Sequence, residues 1–212
     1  MTRYDTALVL CIIVFVIQAG LNAHEAVTDY RLTISVRAYA DFDRIEAGLE
    51  KARAYIADAF RHTDIELKWL VCFGPHAPLH CQSPLAPDEV IVRIMAAPEA
   101  VKGTVVPLGD SLVDPQTRSG CLATVYVDRV VALARRLNVA AGPILGRAIA
   151  HEIGHLLLGT TRHSDSGLMR AVWSPKELTR NDRADWIFLD EEVAAIRAVV
   201  AMRLARSALA SR

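Results

Sequence analysis

The sequence predicts an α+β domain: a small twisted mixed sheet with a backing helix, a central apolar helix and a C-terminal helix. Three observations carry that expectation. Short stretches that alternate apolar and polar residues and are rich in β-formers dominate the first half. Two long stretches with helical periodicity dominate the second half. The chain has 212 residues, enough for one well-buried domain and too few for two large ones. Lys+Arg and Asp+Glu are both 24, so the formal net charge is zero. That argues against a dedicated nucleic-acid binder, which normally carries a basic excess or stripe.

The N-terminus reads MTRYDTALVLCIIVFVIQAGLNAHE, with an unbroken apolar run from Ala7 to Ile17. The run has the length of a signal-peptide core and falls short of the roughly 20 residues that a spanning helix needs. Ala19, Gly20 and Ala23 offer small residues for cleavage. Residues 1–23 are therefore expected to be a signal peptide cut between about 19 and 24, leaving a single domain over 24–212. An uncleaved N-terminal membrane anchor is the alternative. The expected location is secreted or periplasmic, with no stable membrane span after cleavage.

The elements follow in order. Tyr30–Tyr39 (YRLTISVRAY) alternates and reads as a strand. From Asp41, Phe42, Ile45, Leu49, Ala52 and Ile56 form a helical stripe behind an aspartate cap. IELKWLVCF is a second strand, ending at CFGPHAPLHC. That loop holds two prolines and a glycine and suits a Cys72–Cys81 disulfide in an oxidising compartment. Cys121 is left over, and the expectation is a buried small hydrophobe at the start of a strand. Asp88–Met95 (DEVIVRIM) is a third strand. Ala96 to Gly120 is expected to be mostly loop, with GTVV as a short strand, because prolines and glycines punctuate it. CLATVYV (Cys121–Val127) is a strand, and DRVVALARRL a short helix from Asp128. GPILGRAIAHEIGHLLLG begins with Pro143 and stops at Gly159, good residues for a helix start and a helix-terminating turn. In the tail, Leu189, Val193, Ile196, Val200 and Leu204 recur at threes and fours, and the arginines mark a packing helix and not a span.

The stretch HEIGHLLLGTTRHSDSGLM, from His151 to Met169, carries the chemistry. On a helix, His151 and His155 project about 40° apart and roughly 6 Å along the axis, so two imidazoles can converge on one cation. Glu152 points beside them, placed to take a proton from a metal-activated water and not to bind the metal. Leu145, Ile149, Ile153 and Leu156 form an apolar stripe on the nearly opposite side. A catalytic zinc needs three protein ligands. His163, Asp165 and the acidic residues near the tail are the candidates for the third, with Gly159 allowing the chain to turn back.

HEIGH, the leucine-rich helix end, the glycine, HS and GLM resemble a metzincin, and most of all the matrixin branch. The wider segment, with SGCLATVYVDRV before it and MRAVW after it, resembles small exported bacterial zinc metalloproteases. The pattern departs in detail: Gly159 stands one position late and His163 two, and Thr161 occupies the expected place of the third histidine. The resemblance implies a zincin fold with an active-site helix, an upper subdomain over about 24–159 and a lower one over about 160–212. It implies His151, His155 and His163 as zinc ligands, Glu152 as general base and acid, and Met169 as the Met-turn beneath the metal.

The expected function is that of an exported zinc-dependent endopeptidase acting on peptide or protein, with Zn2+ as cofactor. CLATVYV is the expected edge strand for an extended peptide. A cell-wall peptide amidase with the same site and a non-catalytic zinc-stabilised binding module are the alternatives. His76 and His80 are expected at the surface, and Asp110 and Asp114 in ordinary turns rather than a calcium site.

Overall fold

In a computed structural model, which describes residues 31–40, 46–98 and 107–210, five strands form one mixed sheet. In chain order they are β1 (Leu32–Ala40), β2 (Ile65–Val71), β3 (Glu89–Met95), β4 (Gly109–Asp114) and β5 (Ser119–Tyr126). The spatial order is β2-β1-β3-β5-β4, parallel throughout except for β4, which runs antiparallel to β5. The helices are α1 (Glu46–Phe60), α2 (Val127–Leu137), α3 (Ala141–Leu158), α4 (Pro175–Arg180) and α5 (Asp190–Ala210). The described residues form one compact unit. The α+β class and the mixed sheet agree with the sequence expectation. The signal segment, the Asp41 cap with Phe42 and Ile45, and GTVV lie outside the described residues.

The period of two on the strands builds the core. Ile34, Val36 and Ala38 of β1 stand beside Val90, Val92 and Ile94 of β3 and Ala123 and Val125 of β5, all fully buried. Leu49, Ala52 and Ile56 of α1 and the expected stripe of α3 (Leu145, Ile149, Ile153, Leu156) complete this layer. Burial of such side chains contributes about 1.5–3 kcal/mol each, so the site-bearing helix is anchored by its rear face. At the tail, Ile196 and Val200 are buried, and Arg203 donates to the carbonyls of Gly120 and Leu156.

The opposite side of the sheet is polar and holds the loop after β2. Cys72 and Cys81 are joined in a disulfide, with Cα atoms 5.5 Å apart. Arg37, 2% exposed, pairs with buried Glu89 and donates to the carbonyls of Ser83 and Pro84. His80, at the surface as expected, approaches Glu89 at 2.9 Å.

Three expectations are corrected. The stretch expected to be loop contains β4, whose Gly109, Ser111 and Val113 face inward while Asp110, Leu112 and Asp114 are exposed. β4 is weak in β-formers and takes its conformation from pairing with β5. In consequence β5 is not the edge strand: β4 covers one side of it and β3 the other, and β4 is the edge. Cys121 is free, as expected, but exposed rather than buried, because the period of two on β5 turns its neighbour Gly120 inward instead. No helix among the described residues is long and apolar enough to cross a membrane.

Candidate metal centre

The site is built on α3. Its C-terminal end is set by Gly159, which takes the left-handed conformation (φ +63°) and donates its N–H to the carbonyl of His155. A β-carbon there would overlap the carbonyl of Arg118, so only glycine fits the turn. The next residue, Thr160, points its carbonyl at His155 Nδ1, 2.8 Å away. The chain then brings His163 back over the helix and continues to Met169.

His151, His155 and His163 come together, with one ligand atom from each lying within 4.8 Å of the others. The ring centroids are 4.7, 4.9 and 5.3 Å apart. His163 therefore reaches the pair despite its position two residues late, while Thr161 lines the cleft without contributing a ring nitrogen. Asp165 is exposed and stands outside the group.

The protonation of His151 and His155 follows from their partners. His151 Nδ1 lies 2.9 Å from the carbonyl of Leu168, and His155 Nδ1 is bound to that of Thr160. A carbonyl only accepts, so each Nδ1 carries the hydrogen and each Nε2 presents a lone pair. The two Nε2 atoms face each other at 3.1 Å. Two bare lone pairs at that distance repel unless a cation lies between them. Nitrogens bound to a tetrahedral zinc at about 2.0–2.1 Å stand roughly 3.3 Å apart, so the donor set fits such an ion. Burial pushes both imidazoles down to about 4, which keeps them neutral and ligating near pH 7. His163 is lowered by the same cause, and it is exposed, on the open side of the site.

Glu152 is 7% exposed and directed to the side of the histidine pair. Its Oε2 lies 2.7 Å from Ser111 Oγ of β4, and Gly109 of the same strand lies against the other carboxylate oxygen. Burial pushes the carboxyl up to about 7; the Ser111 hydrogen bond opposes that shift and the charge of Asp110 adds to it. A group poised there can both take and return a proton at neutral pH. Asp110 and Asp114 hold local bonds, from the Tyr126 hydroxyl and from Gln116 and Thr117.

Met169 is fully buried, its sulfur lying 2.6 Å from where a β-carbon on Gly154 would stand. Trp173 meets the His151 ring edge to face at 5.7 Å. A cleft of about 950 Å³ runs past the three histidines between β4, α2 and the segment after Met169. The loop that carries His163 is tied down next door. Ser164 N donates to the carbonyl of Met169, and Ser164 Oγ donates to Glu192 Oε1 at 2.5 Å. Glu192, buried at the start of α5, also accepts from Leu189 N. Sequence reasoning missed Ser111 and Trp173, which lie outside the motif, and offered the tail acids as ligands, whereas Glu192 holds Ser164 and stands outside the histidine group. We expect Glu192→Ala to weaken zinc binding about 10–100-fold, the usual scale for a group supporting a ligand. Competition against a chromogenic chelator measures it, and unchanged affinity would show that His163 is held without Ser164.

No family model matches the chain, and no curated protein matches it. Among solved structures, the chain is similar to the crystal structure of archaemetzincin from Methanopyrus kandleri, at a TM-score of 0.49 and 12% sequence identity. That similarity covers 84% of this chain and 99% of the other.

Proposed function

We propose that the chain is an exported zinc-dependent endopeptidase, a divergent relative of the matrixins, in which Glu152 is the general base and acid. The observation that carries this reading is the opposed Nε2 pair at 3.1 Å with a buried carboxyl beside it and a cleft open to it. A structural zinc site closes with four protein ligands, whereas a catalytic one keeps a position free. Among the described residues the group consists of three histidines, one of them exposed.

Bound zinc supplies a water of lowered pKa and polarises a carbonyl. The remaining work belongs to the chain. The carbonyls of Thr160 and Leu168 hold the ligand rings and fix their tautomers. Glu152 takes a proton from the attacking water and returns it to the leaving nitrogen. Among the described residues β4 is an edge strand, whose outer side offers backbone donors and acceptors to an extended peptide, and exposed Leu112 adds an apolar contact on it. Export is supported by the Cys72–Cys81 disulfide, which persists in oxidising compartments, together with the apolar segment within residues 1–23.

The test combines metal analysis of the purified protein with cleavage of a peptide library and of cell-wall peptide fragments. We expect one zinc per chain, cleavage within peptides, and loss of both zinc affinity and activity in His163→Ala. Undiminished zinc affinity in that variant would transfer the third ligand to another residue, Asp165 first. A zinc-loaded protein inactive on every peptide would make this a binding module, and activity on wall fragments alone would make it an amidase.

A further inference from the structure

The mechanism above leaves one partnered group near the site without a role: the hydroxyl of Ser111. It lies 2.7 Å from Glu152 Oε2 and 2.8 Å from the backbone carbonyl oxygen of the same residue. A hydroxyl has one hydrogen and two lone pairs, so it cannot donate to both oxygens at once. With the carboxylate charged, the hydrogen goes to Oε2. The carbonyl oxygen at 2.8 Å holds the hydroxyl from its other side, so Ser111 Oγ sits between two oxygens of one residue.

The rest of the strand confines the carboxylate further. Gly109 and Ser111 are two residues apart on β4 and share its inward face. A β-carbon at Gly109 would lie 2.8 Å from Glu152 Oε1 and Cγ, and 2.6 Å from the carbonyl of Thr124. The edge strand thus touches one carboxylate oxygen with bare backbone and binds the other with a hydroxyl. We propose that Ser111 is a positioning residue: its hydroxyl, with the bare backbone of Gly109 beside it, fixes the rotamer of Glu152 next to the three histidines. This inference rests on the peptidase reading for its kinetic part and on the Ser111–Glu152 geometry alone for its structural part.

The test compares zinc-loaded parent, Ser111→Ala and Ser111→Thr in two measurements. In kinetics, Ser111→Ala should lower kcat on the order of tenfold, the scale of one hydrogen bond to a charged group, with KM and zinc content unchanged. Ser111→Thr, which keeps the hydroxyl, should recover most of the loss. In crystal structures, the Glu152 carboxylate should leave its place or split between rotamers in Ser111→Ala and return in Ser111→Thr. A Ser111→Ala protein with the parent's kcat and an unmoved Glu152 overturns the proposal. A loss of activity that threonine does not rescue, with Glu152 unmoved, overturns it as well. Should the zinc-loaded parent cleave no peptide, the peptidase reading fails by itself, and the position of Glu152 in the two variants still decides what Ser111 does.

Discussion

Glu152→Gln is expected to lower peptide hydrolysis by on the order of 10² or more, the scale of lost general-base catalysis, while zinc stays bound. Glutamine keeps the size that the pocket beside Gly109 demands and an oxygen that can accept from Ser111. What it lacks is the ability to take a proton. The same variant carries a stability signature in the metal-free protein. Burial raises the Glu152 carboxyl from 4.5 to about 7. A group raised on folding contributes stability that is complete below its unfolded value and lost as the pH rises through its folded value. Glutamine has no such loss, so in chelator the variant should gain in Tm on the parent between pH 5 and pH 8. Release of zinc by Glu152→Gln would make the carboxylate a ligand. Parental activity in the variant would place the chemistry elsewhere.

The parts of this site legible in the sequence are those written in residue type at helical spacing. His151, Glu152 and His155 share one helix, whose limits are marked by Pro143 and Gly159, and whose rear stripe is buried as its periodicity requires. The supporting parts were hidden for separate physical reasons. Thr160 and Leu168 act through backbone carbonyls, which any residue possesses. Ser111 approaches Glu152 from 41 residues upstream, on a strand whose GDSLVD composition predicts a loop. Arg147 precedes His151 by one helical turn and has the look of a solvent-facing cation. It is instead 3% exposed, with its guanidinium stacked 3.9 Å above the Trp186 ring and Asn181 as its hydrogen-bond partner. The segment after the three histidines is therefore fastened to α3 partly by a cation–π contact, which no hydrophobic pattern reveals. α4 did leave a signal: Ser174, Pro175 and Glu177 form a capping box with proline in the first turn.

Zinc at a thousandfold excess over its dissociation constant should stabilise the folded chain by about 4 kcal/mol and raise its Tm by about 10 °C over the chelator-treated protein. The expectation follows from the opposed Nε2 atoms, 3.1 Å apart, whose lone pairs repel unless a cation lies between them. The pH dependence follows from burial. His151 and His155 are depressed from 6.5 to about 4 in the metal-free fold. Groups depressed on folding contribute stability that is present above the unfolded value and lost as the pH falls through the folded one. The metal-free Tm should therefore decline between about pH 6.5 and pH 4. Over most of that range the folded lone pairs remain free of protons and available to metal. The zinc-dependent increment in Tm should accordingly survive at pH 5.5, where exposed imidazoles would already be protonated, and vanish as the pH reaches about 4. Differential scanning calorimetry with zinc or chelator across this range measures both trends, and His155→Ala should abolish the increment at every pH. An increment already halved at pH 6.5 would mean that the ligands titrate as exposed histidines do. No increment at pH 7 would mean that the three rings do not hold a metal.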